Sequence, residues 1–573
     1  MRRFPLSNLA FFILGAGLAL ALLAGCGKAS APASTNGGGS NPNSNPNSAG
    51  CGSNTGSSTN PAAPSSVNVV TYHYDNSRTG QNTAETTLTP ANVNSTQFGK
   101  LGKFSVSGRV DAQPLYLSNV SISGVMKNVL YVATEHGCVF AFDADSISGT
   151  TSKALWSAST TQSGEVPSDD RACGQVTPEI GITSTPVIDR TRNAIYVISV
   201  SKDGSGNYHH RLHALDLTTG AELFGGPTAI SATFPGTGAG SSGGNVVFDP
   251  AQYNERPGLL EFNNTIYTTW GSHCDIGQYT SWVMTFSADT LKQTSVLNLT
   301  PNGNDGGIWM AGTAPAADSA GNIYFLIGNG TFDTALNSSG FPSAGDCGNC
   351  FVKLRSSLPL ALADYFTPSN TVMLSNGDLD LGSGGPLLLP DLTDGSGTTR
   401  HLAVASGKSN PAIYVVDRDN MGKFNATADT IYQEIPGALP SQGEFAKPSY
   451  FNNTVYYGAV GDNLKAFPIS NARLATAPSS HSSATFAYPG ATPSISANGT
   501  AGGIVWAVEK SSSGSAILHA CDATNLGREL YNSSQAANGR DQFADNNFIT
   551  PMVANGRVYV GTPASVAVFG LLP

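Results

Sequence analysis

The side chains able to do chemistry are gathered in a few short, glycine-rich stretches. Asp169-Asp170-Arg171-Ala172-Cys173, Pro178-Glu179-Ile180-Gly181, Asn304 to Met310 with its Trp309, and Asp378-Leu379-Asp380-Leu381-Gly382 each lie ahead of an extended segment that opens with proline. Glu135-His136-Gly137-Cys138, Ser272-His273-Cys274-Asp275, Gly328-Asn329-Gly330 and Gly407-Lys408-Ser409 each separate two apolar runs. Carboxylates of this kind move protons or hold hard cations, a lysine meets anions, and an indole stacks on planar rings. Each type also has a structural use. Trp309 can pack between repeats, Asn329 can take a turn with positive φ, Asp378 and Asp380 can cap Gly-rich turns, and Lys408 can be a solvated hairpin residue. His136 and His273 are single histidines on separate loops, a spacing that favours hydrogen bonding over metal ligation.

These stretches must be positioned by strands. Charged residues are 12% of the 573, about half the usual 25%, which argues against long helices with charged outer faces. Gly (65) and Pro (33) are abundant and 40% of the chain is apolar, the composition of many short strands and turns around a large core. One unit recurs eight times, opening at Pro114, Pro186, Pro257, Pro315, Pro386, Pro448, Pro493 and Pro551. An alternating strand follows each proline, as in Val129-Leu130-Tyr131-Val132 and Arg557-Val558-Tyr559-Val560. A third strand often ends in Asp, as in Leu212-His213-Ala214-Leu215-Asp216. Four short antiparallel strands repeated around an axis make a β-propeller, here all-β and eight-bladed over 67–573. The last unit stops at Val566-Ala567-Val568-Phe569, so its outer strand is expected from Val67 to Tyr72. The run Tyr72 to Arg78 reads as part of that closure rather than as a site.

In such a ring the loops entering each inner strand and the hairpins between second and third strands share one face. That places Cys138, Cys173, Cys274, Cys347 and Cys350 together, as disulfide candidates in an oxidising compartment. Cys138–Cys173 is the preferred pair, with Cys274 joined to Cys347 or Cys350, or those two joined to each other. Cys521 lies in a core strand and reads as a buried free thiol. The C-x-x-C at 347–350 lacks the second ligand pair of a zinc site.

The repeat, seen most fully at Leu212 to Gly220, resembles that of the quinoprotein propellers: the pyrroloquinoline quinone (PQQ) dehydrogenases and the non-catalytic outer-membrane assembly lipoprotein that shares their fold. Gly306-Gly307-Ile308-Trp309 and Gly328-Asn329-Gly330 are similar to the alcohol dehydrogenase stretches in which a Trp lies under the quinone and an Asn binds calcium. By the same resemblance Asp380, six residues before Pro386, is the catalytic base and a calcium ligand, Asp378 joins the cofactor site, and Lys408 contacts the quinone oxygens. The implied reaction is oxidation of an alcohol or sugar, with PQQ and calcium as cofactors. The family's adjacent Cys-Cys pair is absent, with only Cys173 at a comparable place. The segment carrying its calcium-binding Glu is replaced by Lys202 to Asn207, and Glu179, on a neighbouring loop, is the candidate substitute ligand, although no spacing requires it. Gly382 stands where lanthanide-using members have a further Asp, so calcium is the expected metal. The second reading is a ligand- or protein-binding scaffold without a cofactor.

Arg2 and Arg3 precede an apolar run from Leu9 to Leu23 that ends in Leu23-Ala24-Gly25-Cys26. This resembles a bacterial lipobox, so 1–25 reads as a signal peptide and Cys26 as the lipidated residue of an outer-membrane anchor facing the periplasm or the surface. Residues 26–66 are Gly, Ser, Asn and Pro with almost no charge, a disordered linker reaching roughly 35 Å. A net charge of −10 without a basic cluster excludes nucleic-acid binding. No C-x-x-C-H is present, so no haem is expected. G-x-S-x-G at 240–244 lies in a Gly-rich loop, not a nucleophile elbow. The expected partners are a small-molecule substrate or an envelope protein, and the expected state is a monomer.

Overall fold

The computed structural model describes residues 50–52, 56, 63–147, 153–408, 411–511 and 514–573. The expected signal peptide, Cys26 and most of the expected linker lie outside them. Eight antiparallel sheets of four main strands follow one another. Blade 1 runs Leu115–Ile122, Val125–Thr134, Cys138–Asp143 and Ala154–Ser159, and blade 2 runs Val187–Asp189, Ala194–Asp203, Tyr208–Asp216 and Thr228–Ala229. Blades 3 to 7 have inner strands Leu260–Phe262, Ala316–Ala317, Leu387–Leu388, Ser449–Phe451 and Ser494–Asn498. Blade 8 comprises Met552–Ala554, Arg557–Thr562, Ser565–Leu571 and the early strand Phe98–Ser105. Every inner strand begins one to three residues after one of the eight prolines, where a fixed φ and a missing N–H are tolerated at a strand's first position. The fold is the eight-bladed, all-β propeller the repeats imply. The α-helix Thr371–Asn376 is the only one among the described residues.

The core lies between blades. Apolar clusters join blades 8, 1 and 2, 2 and 3, 3, 4 and 5, 5 and 6, 6 and 7, and 7 and 8, so every adjacent pair is packed and the ring is closed. The repeated tyrosine of the second strand explains itself here. Tyr131, Tyr196 and Tyr456 each donate from Oη to the backbone carbonyl just past the third strand of the next blade, at Leu217, Ala288 and Ala523. A phenol that buries its ring and reaches a neighbour's turn is apolar packing with one directional peg.

Two expectations need correction. The outer strand of blade 8 is Phe98–Ser105, paired antiparallel with Ser565–Leu571, not Val67 to Tyr72. Phe98 and Phe104 supply its buried face, and the Phe104 ring lies 4.9 Å from Phe142 of blade 1. Residues 68–84 instead lace across the inner strands of all eight blades. Asn68 and Val69 pair with Leu117 and Tyr116 of blade 1. The Ile188 N–H of blade 2 donates to the Val70 carbonyl, and Asn76 Nδ2 donates to the Glu261 carbonyl of blade 3. The N–H groups of Ala317, Leu388, Tyr450 and Ile495, in blades 4 to 7, donate to the carbonyls of Asn76, Ser77, Thr79 and Gly80. In blade 8 the Val553 N–H donates to Tyr74 Oη.

The second correction concerns the cysteines. The disulfides are Cys51–Cys138, Cys173–Cys274 and Cys347–Cys350. Cys138 and Cys173 do not pair, because Cys138 is taken by Cys51 and the loop holding Cys173 reaches forward to the blade 3 hairpin. Cys51 therefore belongs to the folded body: it is fully buried in the blade 1 cluster, and its carbonyl accepts from Ser107 Oγ. Ala63 and Ser65 also bond blade 1 through Asn128 and Asn119. Cys521 is free and buried, and burial pushes its thiol up to about 12.

Candidate functional site

At the loop-bearing end, Gln175, Arg256, Cys274, Asp275, Trp309, Ala311, Asn329, Asp378, Asp380, Ser383, Lys408, Phe445, Tyr488 and Phe548 line one cleft of about 110 Å3. They come from the loops entering blades 2 to 8 and from the hairpins of blades 3 to 5. Trp309, Asn329, Asp378, Asp380 and Lys408, separated by up to 99 positions in the chain, are thus brought together.

Trp309 sits in a tight turn in which Met310 and Ala311 both have positive φ, an uncommon pairing for residues with side chains. Its indole lies against backbone. A Cβ on Gly307 or Gly328 would stand 2.7 Å from indole atoms, so glycine is required at both places. Tyr279 meets the ring edge-on at 6.4 Å. Trp309 thus packs against backbone and also lines the cleft. The Asn329 carbonyl accepts from the Gly306 N–H at 2.7 Å, which ties the hairpin to the Trp309 loop.

Asp380 is 2% exposed. Burial pushes its carboxyl up to about 6, against the attraction of Lys408 and with repulsion from Asp378. One carboxylate oxygen accepts from the Gly382 N–H at 2.9 Å, and the other lies 3.9 Å from Lys408 Nζ. The Lys408 N–H donates to the Asp380 carbonyl at 2.7 Å, so the blade 5 hairpin and its entering loop are locked in register. Lys408 Nζ also pairs with the half-exposed Asp378.

Glu179 does not join this group. Its carboxylate accepts from His136 Nδ1 at 2.9 Å between the blade 1 hairpin and the loop entering blade 2, and it does not line the cleft. His273 is buried and its imidazole is pushed down to about 4, chiefly by that burial. Among the described residues no three His, Cys, Asp or Glu side chains are grouped to hold a metal ion.

Several cleft residues went unpredicted. Arg256 is 5% exposed, is held by Gln175 Oε1 at 2.7 Å, and lies over the Phe548 ring at 5.2 Å. Phe445, Tyr488 and Phe548 form an edge-to-face row with centroids 5.3 and 6.0 Å apart. Each stands three to five residues ahead of a blade-opening proline, a signal the sequence does carry. The Cys173–Cys274 disulfide adds a further wall through Cys274.

No protein-family model matches the chain, and no curated protein sequence matches it. Solved structures do. A europium-containing methanol dehydrogenase is 12% identical with a TM-score of 0.56, covering 88% of this chain and 98% of that one. The quinohemoprotein alcohol dehydrogenase of Comamonas testosteroni is 14% identical with a TM-score of 0.55, covering 88% and 80%. The quinohemoprotein alcohol dehydrogenase ADHIIG of Pseudomonas putida HK5 is 12% identical, with the same TM-score and coverage. At these identities the likeness is one of fold.

Proposed function

We propose that this protein is a cell-envelope quinoprotein-like propeller that oxidises an alcohol or sugar with PQQ. The observation that carries the reading is the convergence of Trp309, Asp378, Asp380 and Lys408 in one cleft from three separate loops.

The residue types fit the organic cofactor. Trp309 offers an immobilised aromatic plane, and Lys408 and Arg256 offer cations for the oxygens of an anionic quinone. The cleft volume, about 110 Å3, is that of a single ring, so a tricyclic quinone enters only as the cleft widens. The calcium of the resemblance does not fit. Asp380 and Asn329 are two oxygen donors, and the third, Glu179, is engaged elsewhere; no step is assigned to a metal. When bound, the quinone supplies a hydride acceptor. The chain supplies Asp380, which takes the substrate hydroxyl proton once ionised, and Lys408, whose charge favours that ionised form. Cys26 would carry the lipid, holding the propeller at the outer membrane.

The incomplete donor set favours one other reading: a non-catalytic ligand- or protein-binding scaffold like the assembly lipoprotein. The discriminating experiment adds PQQ to the purified chain, with and without calcium, and follows quinone absorbance through desalting and then dye reduction with an alcohol panel. Retained quinone without a calcium requirement, and dye reduction lost in Asp380→Asn, support the dehydrogenase. Quinone that washes away supports the scaffold.

A further inference from the structure

Where residues 68–84 cross the propeller axis, two cations are fully buried. Arg78 and Lys447 are both 0% exposed. Arg78 Nε donates to the Pro315 carbonyl, and Nη1 donates to Thr71 Oγ1 and to the carbonyls of Tyr72 and Asp75. Lys447 Nζ donates to the Pro386 carbonyl. Every one of these acceptors is uncharged, and among the described residues neither cation has an ion-pair partner. Asp75 is the one carboxylate that acts on both, and both its oxygens are taken by the N–H and hydroxyl of Thr79. His73 contributes no charge, since burial first and Lys447 second push its imidazole down to about 3.

Burial, with Arg78 nearby, pushes the Lys447 ammonium well below the ordinary lysine range, as expected where two buried cations share a single carboxylate in a low-dielectric core. The cluster also holds unused donors. Arg78 Nη2 and Gln113 Nε2 are buried and bonded to nothing, while Gln113 Oε1 accepts from the His73 N–H at 3.0 Å. His73 Nδ1 lies 3.1 Å from the Arg78 carbonyl, so the two unused donors belong to one knot of the lace. Unfilled N–H groups beside two buried cations call for an anionic acceptor. We propose that a single halide-sized monovalent anion sits on the propeller axis, accepting from Arg78 Nη2, Gln113 Nε2 and Lys447 Nζ. This site lies apart from the cleft and does not depend on the cofactor reading.

The test uses the full chain with bromide as the probe. Crystals soaked in sodium bromide should show an anomalous peak among these three nitrogens. In solution, the thermal midpoint should rise with the logarithm of bromide concentration when gluconate is exchanged at constant ionic strength. Lys447→Met removes one of the three donors and should abolish that rise. Peaks confined to surface lysines would overturn the assignment, as would a midpoint indifferent to bromide, or one that still rises in Lys447→Met. A peak without a rise is binding at crystal concentration only, and overturns it equally. If Lys447→Met does not fold, the wild-type peak and midpoint decide.

Discussion

Replacing Asp380 by Asn should make this protein more stable, and only at neutral pH. Burial lifts the carboxyl from its usual 3.8 to about 6 even with Lys408 alongside. Between those values the folded chain holds a proton that the unfolded chain has released, so stability falls as pH rises through that window and stays lower above it. The shift corresponds to about 3 kcal/mol at pH 7.5. Asn keeps the shape and can still accept from the Gly382 N–H, but has no charge to bury. Denaturant unfolding of wild type and Asp380→Asn, compared at pH 7.5 and pH 4, should give a gain of about 3 kcal/mol at the higher pH and almost none at the lower. A gain of equal size at both, or none at pH 7.5, would refute the claim that an ionised carboxylate is being held at a cost. The same substitution should abolish dye reduction, so stability and activity are predicted to move in opposite directions.

Lys408→Met should move the ascending limb of the pH–rate profile upward by about one unit or more, and shift the acid stability window the same way. His519 lies between Glu509 and Glu529 at 2.9 and 2.6 Å; burial opposes its charge, but these bonds prevail and raise its pKa. Its stabilisation is therefore complete below pH 6.5 and lost as pH climbs through the raised value, so the fall in thermal midpoint from pH 6 to 9 should be smaller in His519→Gln. Cys51→Ser opens an 87-residue loop and should cost roughly 4 to 5 kcal/mol by chain entropy, measured by denaturant midpoint without reductant. Glu179→Gln should leave quinone retention unchanged in the desalting assay, since that carboxylate faces His136.

The blades were legible because each is built from neighbours in sequence: a proline, an alternating strand, a tyrosine and a turn lie within about 62 residues. Closure was not, because Phe98–Ser105 meets its partner more than 450 positions away, and its apolar alternation is broken by Gly99, Gly102 and two lysines. Cys51 was obscured by the polar composition around it, which describes the average of the stretch and not the one residue that docks. At the site, the loops holding Trp309 and Asp380 were placed by their distance from a proline. Glu179 satisfied the same rule of position and was captured by His136, a local pairing that spacing does not encode. The aromatic row lies in the loops entering blades 6 to 8, beyond the stretches around Trp309, Asn329, Asp380 and Lys408 that carried the resemblance, so no resemblance drew attention to it.

The crossing of the axis by residues 68–84 also governs the order in which this molecule can come into being. A stretch made first has its hydrogen-bond acceptors matched to donors as late as Val553, so it cannot settle until the chain is nearly finished. Its first residues find partners at Leu117 and Tyr116 of blade 1, but its contact with blade 8 waits more than 450 residues, and the ring gains its complete hub and its last rib together. Such deferred, long-distance assembly is slow. Individual blades made alone would lack the component that holds the wheel at its centre.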